Sequence, residues 1–320
     1  MQIYTFSSTL LLYLEMGGFI LSKQVETATP AKYNPKLEYY KELWRQLRKN
    51  KAAVVGGGFI VLFILISIIG TPWIGPHVLT YAPDAVDIPN KLQPPSADHW
   101  FGTDNYGRDI FTRIIYGMKL TLFIGFTSVA IGGIFGVIFG VVAGYFGGWV
   151  DTVIMRIMDV LLAFPGILLA LAIVSVLGGS IQNMIIAVSI YSVPAFARIV
   201  RGSTLSVRKL EYIDAMKALG ASHTRIIFKH ILPNVMSPII VQATMRIASA
   251  VLTASGLSFL GLGVKPPTPE WGAMMNEGRN FMRESPHVIM FPGMMIVIVV
   301  LAFNIFGDGL RDALDPKMKK

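Results

Sequence analysis

The sequence predicts an all-α membrane protein with six transmembrane helices, and two observations lead to that fold class. Hydrophobic residues make up 53% of the 320-residue chain and charged residues only 15%, against about 25% charged in soluble domains. The apolar residues also form uncharged blocks, at residues 52–75, 120–150, 160–197, 247–264 and 288–307. A bilayer span needs about 20 apolar residues. The block at 160–197 is therefore long enough for two spans joined at Gly178, which makes six in all and excludes a soluble domain.

Basic residues are unevenly distributed along the chain. The net charge is +9, and Lys and Arg concentrate before the first span, in residues 198–234 and at the C-terminus. Cytoplasmic loops of membrane proteins are enriched in Lys and Arg. The sequence therefore predicts a multi-pass protein of the cell membrane with both termini cytoplasmic and with residues 71–117 and 265–287 outside. The basic excess follows from this topology and gives no indication of nucleic-acid binding.

The N-terminal segment, residues 1–51, is predicted to be cytoplasmic. Residues 1–21 lack the basic beginning and the cleavage site of a secretory signal. One hypothesis makes Met16 a second possible start, with the residues before it dispensable, and a short seventh span is the alternative. Apolar residues then recur at helical spacing among cations, at Leu37, Tyr40, Leu43, Trp44 and Leu47. A helix of this kind lies along the membrane surface and contacts lipid headgroups. An ordinary soluble helix is the alternative.

The membrane part begins with a first span at residues 52–75 and an external segment at 76–117. A transmembrane core follows at 118–307, and a cytoplasmic tail at 308–320. The second span carries glycines at every fourth position, namely Gly132, Gly136, Gly140 and Gly144. On a helix these fall on one stripe, where small residues let a second helix approach closely. The stripe predicts a packing seam, although glycine is also simply common in membrane helices.

The third span contains two charges and a proline. Arg156 and Asp159 are three residues apart, so they can pair on one helix face. The alternative for Asp159 is a place on a translocation path. Pro165 removes a backbone hydrogen bond, which predicts a kink in this span.

Arg246 interrupts an otherwise uncharged run from Val235 to Val264. A cation near the bilayer centre usually faces a cavity or a partner. One hypothesis places Arg246 on a translocation path, where it holds a peptide carboxylate. The other gives it a structural partner or lets it snorkel to the inner surface.

The cytoplasmic loop at residues 198–234 has the pattern of a helical hairpin. Residues 211–219 predict a short helix, and Gly220 suits the left-handed conformation that ends one. Ser222 can cap a second helix, and Pro233 ends the unit. Two short helices joined by glycine predict a compact projection on the inner membrane surface.

No motif for bond chemistry is present in the chain. The sequence has no phosphate-binding G-x-x-x-x-G-K-[ST] motif, no H-E-x-x-H motif and no Cys. Of the 5 histidines, His223 and His230 belong to the cytoplasmic loop. His77, His99 and His287 are predicted to be solvated in or beside the external segments. The protein is therefore predicted to be no enzyme and to bind no cofactor or metal itself.

The cytoplasmic loop resembles the coupling motif of ATP-binding-cassette (ABC) importer permeases, Glu-Ala-Ala-x3-Gly-x9-Ile-x-Leu-Pro, and we call residues 198–234 the coupling loop. Four residues match in register: Ala215, Gly220, Leu232 and Pro233. Asp214, Met216 and His230 depart from the motif, and Asp214 keeps the carboxylate. The resemblance implies that the acidic residues Glu211 and Asp214 lie near the contact with an ATPase.

Further segments resemble the dipeptide and oligopeptide importer permeases, especially the second of the two permeases in such importers. They are Phe101–Asp104, Gly107–Asp109, Arg113, Leu257–Gly263, Pro266–Gly272 and Gly307–Asp312. The resemblance implies a type I ABC importer permease fold and alternating access. It also implies a sister permease, two ATPase subunits that bind ATP and Mg, and an extracytoplasmic peptide-binding protein docking on the external segments.

Alternatives remain for both class and cargo. A self-contained secondary transporter or channel would show an internal repeat and ion sites within its spans, and a membrane enzyme would show a paired acid–base or metal site. Neither pattern is evident. A dipeptide is the expected substrate, with longer oligopeptides, glutathione-like peptides and chelated nickel as alternatives.

Overall fold

The computed structural model describes residues 35–68 and 79–314, and most of these residues are helical. Twelve α-helices occur in that part of the chain. They are α1 (Pro35–Lys49), α2 (Lys51–Leu65), α3 (Ile110–Phe146), α4 (Gly148–Leu162), α5 (Gly166–Leu177), α6 (Ile181–Arg208), α7 (Glu211–Ala218), α8 (His223–Ile226), α9 (Leu232–Asn234), α10 (Met236–Phe259), α11 (Trp271–Gly278) and α12 (His287–Leu314). The only β-structure among the described residues is an isolated bridge between Thr103 and Asp109. The all-α prediction is confirmed.

The described residues contain 5 helices long and apolar enough to cross a membrane, or up to 6 if one bent pair counts as a single span. The five are Lys51–Ile68, α3, α6, α10 and α12, and the bent pair is α4 with α5. This count agrees with the six spans predicted from the uncharged blocks. Helix α1 forms as predicted, whereas Met1, Met16, His77 and the predicted end of the first span at residue 75 lie outside the described residues.

The glycine stripe of α3 packs against α6, which identifies the partner that the sequence left open. A Cβ atom built on Gly132 would lie 2.7 Å from the carbonyl oxygen of Ser189, and one on Gly140 would lie 2.6 Å from that of Ala197. A Cβ atom on Gly144 would lie 2.8 Å from Cβ of Thr204. Since these distances are below van der Waals contact, only glycine permits this approach of the two backbones.

The third span is broken rather than gently kinked. Helix α4 ends at Leu162, α5 begins at Gly166, and the two axes differ by 89°. Pro165 precedes α5, and Gly166 lies so close to the ring of Tyr191 that a side chain there would overlap it. The turn predicted at Gly178 is confirmed by its φ of 89°, and the Ser180 hydroxyl caps α6 by accepting the Asn183 N–H at 3.1 Å.

Several spans extend beyond the boundaries predicted from hydropathy. Helix α3 begins at Ile110, inside the predicted external segment, because the Asp109 carboxylate caps it by accepting the Thr112 N–H at 2.8 Å. Helix α6 continues to Arg208, so the first part of the coupling loop is helical. Helix α12 runs through the predicted tail boundary to Leu314. Uncharged blocks mark the hydrocarbon core, whereas helices continue into the polar region on either side.

Candidate functional site

Helix α7 of the coupling loop carries acidic residues at its start and a basic residue at its end. Glu211 and Asp214 lie in the first turn, and Lys217 lies in the last turn. This arrangement complements the helix dipole. The Lys217 ammonium donates a hydrogen bond to the Asp214 carboxylate at 2.8 Å, and the Asp214 side chain remains 70% exposed. Both carboxylates are therefore displayed on the surface of the loop.

The link between α7 and α8 has the predicted geometry. Gly220 has a φ of 77°, in the left-handed region. The Ala221 N–H donates to the Met216 carbonyl at 3.0 Å, as at many helix ends that close on glycine. The Ser222 hydroxyl accepts the Arg225 N–H at 3.4 Å and caps α8. A π-helical turn at Ile227–Ile231 then leads into α9, so the unit continues helically through Pro233.

The coupling loop has a small apolar core of its own. Ile213, Ile226 and Ile231 of the loop are fully buried, and they pack with Val235, directly after the loop, and with Tyr145, near the end of α3. The Tyr145 hydroxyl lies 2.8 Å from Nδ1 of His223. Sequence reasoning missed Tyr145, because it lies in an uncharged block far along the chain from its partner. The loop is thus a folded unit connected to one particular span.

The outer surface of the coupling loop exposes large apolar side chains beside its carboxylates. Leu219 is 86% exposed and Phe228 is 66% exposed. The residues carried over from the coupling motif lie on the same unit, where Glu211, Asp214, Ala215, Gly220 and Pro233 are exposed and Leu232 is half-buried. Exposed apolar groups rimmed by charge are typical of surfaces that a partner covers.

The charged residues of the spans pair differently from the sequence prediction. Asp159 accepts a hydrogen bond from Arg198 of α6 at 2.9 Å, and not from Arg156, so the predicted pair within one helix is wrong. Arg201 pairs with Asp151 in the same region. Arg198 lies on the facing helix and pairs with Asp159, although Arg156 is nearer to Asp159 in sequence. These two ion pairs connect α4 with α6.

Arg246 lies within α10 and contacts Tyr191 of α6. One of its Nη atoms donates to the Tyr191 hydroxyl at 3.3 Å, and its guanidinium carbon lies 5.5 Å from the ring centroid. No ion pair joins Arg246 to Asp159, so the two residues predicted for a translocation path do not meet.

A buried network of charges joins the two external segments. Arg108 donates to Asp104 at 2.6 Å and to Glu277 of α11 at 2.9 Å. Arg113 donates to Glu277 at 3.4 Å and to the Pro267 carbonyl at 3.2 Å. Both arginines are almost fully buried, at 3% and 1% exposed. Residues from 104 onwards and the segment around α11 therefore form one folded structure, which we call the external structure after the predicted topology.

Of the histidines predicted to be solvated, His287 is buried and His99 is half-buried in this external structure. Nδ1 of His99 lies 2.9 Å from the Asp109 carboxylate, and the His99 ring stacks on Tyr81. His287 is 7% exposed, and its Nε2 lies 3.3 Å from the Thr103 carbonyl. The prediction failed because it assigned solvation from segment polarity, whereas the segment is folded. In residues 35–68 and 79–314 no cluster of three or more His, Asp or Glu is placed to hold a metal ion.

Glu270 is a buried acid at the start of α11. Its carboxylate accepts the N–H groups of Gly272 at 3.0 Å and Ala273 at 2.9 Å, and the Thr121 hydroxyl lies within 3.2 Å. Burial raises the pKa of Glu270 above its usual value, although these hydrogen bonds oppose the rise. Glu270 connects the external structure to α3.

Comparison with known families and proteins gives matches along most of the chain. Residues 136–320 match the family described as binding-protein-dependent transport system inner membrane component. Residues 38–95 match the N-terminal transmembrane domain of oligopeptide transport permease C. The chain is 51% identical over 304 residues to the dipeptide transport system permease protein DppC of Alkalihalophilus pseudofirmus, covering 93% of this chain and 98% of that one.

A second relative carries a different name, and solved structures share the fold. The chain is 52% identical over 278 residues to the glutathione transport system permease protein GsiD of Escherichia coli, covering 87% of this chain and 90% of the relative. A structure of the MetNI methionine ABC transporter in an inward-facing conformation matches 63% of this chain and 97% of its own, with a TM-score of 0.53 and 20% identity. That likeness establishes the fold.

Proposed function

The chain belongs to the family of binding-protein-dependent transport system inner membrane components and is a permease subunit of an ABC importer, and from that premise we propose that it carries dipeptides into the cell. The relative named as a dipeptide permease supports this cargo, since it is 51% identical along 98% of its own length. A glutathione-like peptide is the second candidate, because the relative named as a glutathione permease is 52% identical. A self-contained secondary transporter is not favoured, since the family operates with a binding protein.

The coupling loop is the feature that supports ATP-driven transport. It is a folded unit with its own buried core, and it exposes Leu219, Phe228 and Asp214. We infer that this surface contacts an ATPase subunit, that ATP and Mg bind in two such partner subunits, and that a sister permease completes the membrane part. Movement of the loop on ATP binding would then reach the spans through Tyr145.

The external structure supports the second half of the cycle. Its buried ion network holds the two external segments together as one surface. We infer that this surface receives a peptide-loaded binding protein. We also infer that both termini lie in the cytoplasm, because Lys and Arg concentrate near both ends of the chain and in the coupling loop. Alternating access would pass the peptide from the binding protein to an inward-facing cavity.

The experiment that tests the cargo is uptake of labelled dipeptides, pentapeptides and glutathione by cells that lack only this chain. Loss of dipeptide uptake alone supports the proposal. Loss of glutathione uptake alone supports the second candidate, and loss of all three indicates a broad peptide importer. Persistence of all three, in cells without a redundant importer, contradicts a peptide cargo.

The experiment that tests coupling uses Asp214→Lys and Gly220→Val. We expect both variants to reach the membrane but to lose peptide uptake, because Asp214 is exposed and the φ of 77° at Gly220 strains any β-branched residue. Glu38→Lys makes the matched charge change on the exposed side of α1 and should keep uptake. Undiminished uptake in both coupling-loop variants contradicts the assignment.

A further inference from the structure

Arg246 occupies the middle of a membrane-spanning helix. Helix α10 has 24 residues, from Met236 to Phe259, and is among the helices apolar enough to span a bilayer. At 1.5 Å per residue, a helix of this length is close to the thickness of the hydrocarbon core. Arg246 is therefore remote from both ends of its helix. Ionised residues at such depth face a cavity or a partner rather than lipid.

The charge of Arg246 has no counter-ion in the described part of the chain. Its contacts are with Tyr191, through the hydroxyl at 3.3 Å and through the ring. Arg198 and Arg201, on the same helix as Tyr191, each pair with a carboxylate. Arg246 thus differs from these neighbours in keeping an uncompensated positive charge.

Tyr191, the partner of Arg246, lies on a face of α6 that does not pack on α3, and both side chains are partly exposed. Residues 192, 193, 196 and 197 of α6 are buried, and they lie on the side that packs on α3. Tyr191 and Arg198 lie seven residues apart on another face of α6, which is partly or fully exposed. Gly166, at the break between α4 and α5, lies against the Tyr191 ring. Non-helical backbone at membrane depth is tolerated where protein or a water-filled cavity surrounds it.

We propose that Arg246 and Tyr191 form an anion subsite on the translocation path that receives the terminal carboxylate of a peptide. The inference rests on the proposed function. A guanidinium presents a planar fork of donors that matches a carboxylate. The Tyr191 oxygen already accepts a hydrogen bond from Arg246, so its own proton is free to be donated to the anion. With no fixed carboxylate as competitor, the site takes up the peptide and releases it as the cavity changes sides.

The test uses the complete importer, reconstituted in proteoliposomes with the binding protein outside and ATP at the ATPases. Uptake of a labelled dipeptide is compared with uptake of the same dipeptide as its C-terminal amide. The variants are Arg246→Gln, Arg246→Lys and Tyr191→Phe. Arg45→Gln is the control, since it removes the same charge from an exposed position on α1. Hydrolysis of ATP stimulated by the loaded binding protein reports assembly and coupling.

We expect Arg246→Gln to lower uptake of the free acid by about tenfold, because a charge-assisted hydrogen bond is lost, and to lower uptake of the amide by about twofold or less. Arg246→Lys should retain more acid uptake than Arg246→Gln, because lysine keeps the charge but not the planar fork. Acid uptake by Tyr191→Phe should fall between those of Arg246→Gln and the wild type. Stimulated ATP hydrolysis should persist in all three.

Two results would overturn the subsite alone. The first is that Arg246→Gln lowers uptake of the free acid and of the amide by the same fraction. The second is that Arg246→Gln and Arg246→Lys lower uptake of the free acid equally. Either result would indicate that Arg246 only braces α10 against α6. A wild-type importer that carries no dipeptide would overturn the proposed function, and the subsite with it. The wild-type measurement therefore separates the two failures.

Discussion

The Tyr145 hydroxyl lies 2.8 Å from Nδ1 of His223, and this contact joins the longest span to the coupling loop. Tyr145 is 4% exposed and packs with the apolar core of the loop. The same helix, α3, carries the glycine stripe that packs on α6. We therefore expect a displacement of the loop to reach the α3–α6 pair directly.

Tyr145→Phe should weaken coupling without removing the protein from the membrane. The substitution keeps the buried ring but removes the hydrogen bond to His223, which is worth about 1 kcal/mol. We expect more ATP to be hydrolysed per dipeptide taken up in proteoliposomes. Tyr212→Phe is the control, because the Tyr212 hydroxyl has only an exposed contact of 3.4 Å with Asn234. An unchanged ratio of hydrolysis to uptake in Tyr145→Phe would show that the contact transmits nothing.

Gly136→Ala should destabilise the protein. A Cβ atom on Gly136 would overlap Cβ of Phe196 and lie 2.8 Å from the Val193 carbonyl oxygen, so α3 and α6 must separate. Overpacking of this kind costs about 1–3 kcal/mol. We expect a lower midpoint of thermal unfolding in detergent.

Gly133→Ala is the matched control for that substitution. Gly133 lies on the same helix, but its Cβ atom would lie 3.4 Å from the end of the Phe196 ring, which is an ordinary contact. Its unfolding midpoint should equal or exceed that of the wild type, since alanine favours helix more than glycine. Equal midpoints for the two variants would contradict the seam.

Arg108→Gln should open the external structure. The substitution leaves the buried carboxylates of Asp104 and Glu277 without their main cation, and breaking a buried ion pair costs about 3–5 kcal/mol. Because Arg113 still contacts Glu277, we expect a loss of stability near the lower end of that range. We expect faster proteolysis between the first span and α3. Lys217→Gln breaks the exposed pair with Asp214 and should change stability by less than about 1 kcal/mol.

Features with a local period were predictable from the sequence. The helix at Glu211, the left-handed Gly220 and the Ser222 cap depend on neighbours within a few residues, and the structure confirms all three. The glycine stripe predicted a seam for the same reason, although only the structure identifies α6 as its partner.

Contacts between distant residues were not predictable. Arg108 and Glu277 are 169 residues apart, and Tyr145 and His223 are 78 apart. Asp159 shows the converse, because the nearest cation in sequence was Arg156, whereas the facing helix supplies Arg198. A single sequence gives spacing along a helix but not which helices face each other, and that choice decides the ion pairs.

The stability of the external structure should depend on pH through Glu270. Burial raises the pKa of this carboxyl above its ordinary 4.5, so the folded protein holds the proton to a higher pH than the unfolded chain does. Stability from this group is therefore fully present below the unfolded pKa, and it is lost as the pH rises through the folded pKa.

Glu270→Gln does not titrate and should escape that loss. The unfolding midpoint of Glu270→Gln, measured relative to that of the wild type, should thus increase as the pH rises above about 4.5. Glu284→Gln, at an exposed position, should follow the wild type. If the unfolding midpoint of the wild type instead increases relative to that of Glu270→Gln as the pH rises, the N–H groups of Gly272 and Ala273 outweigh burial and lower the pKa of Glu270.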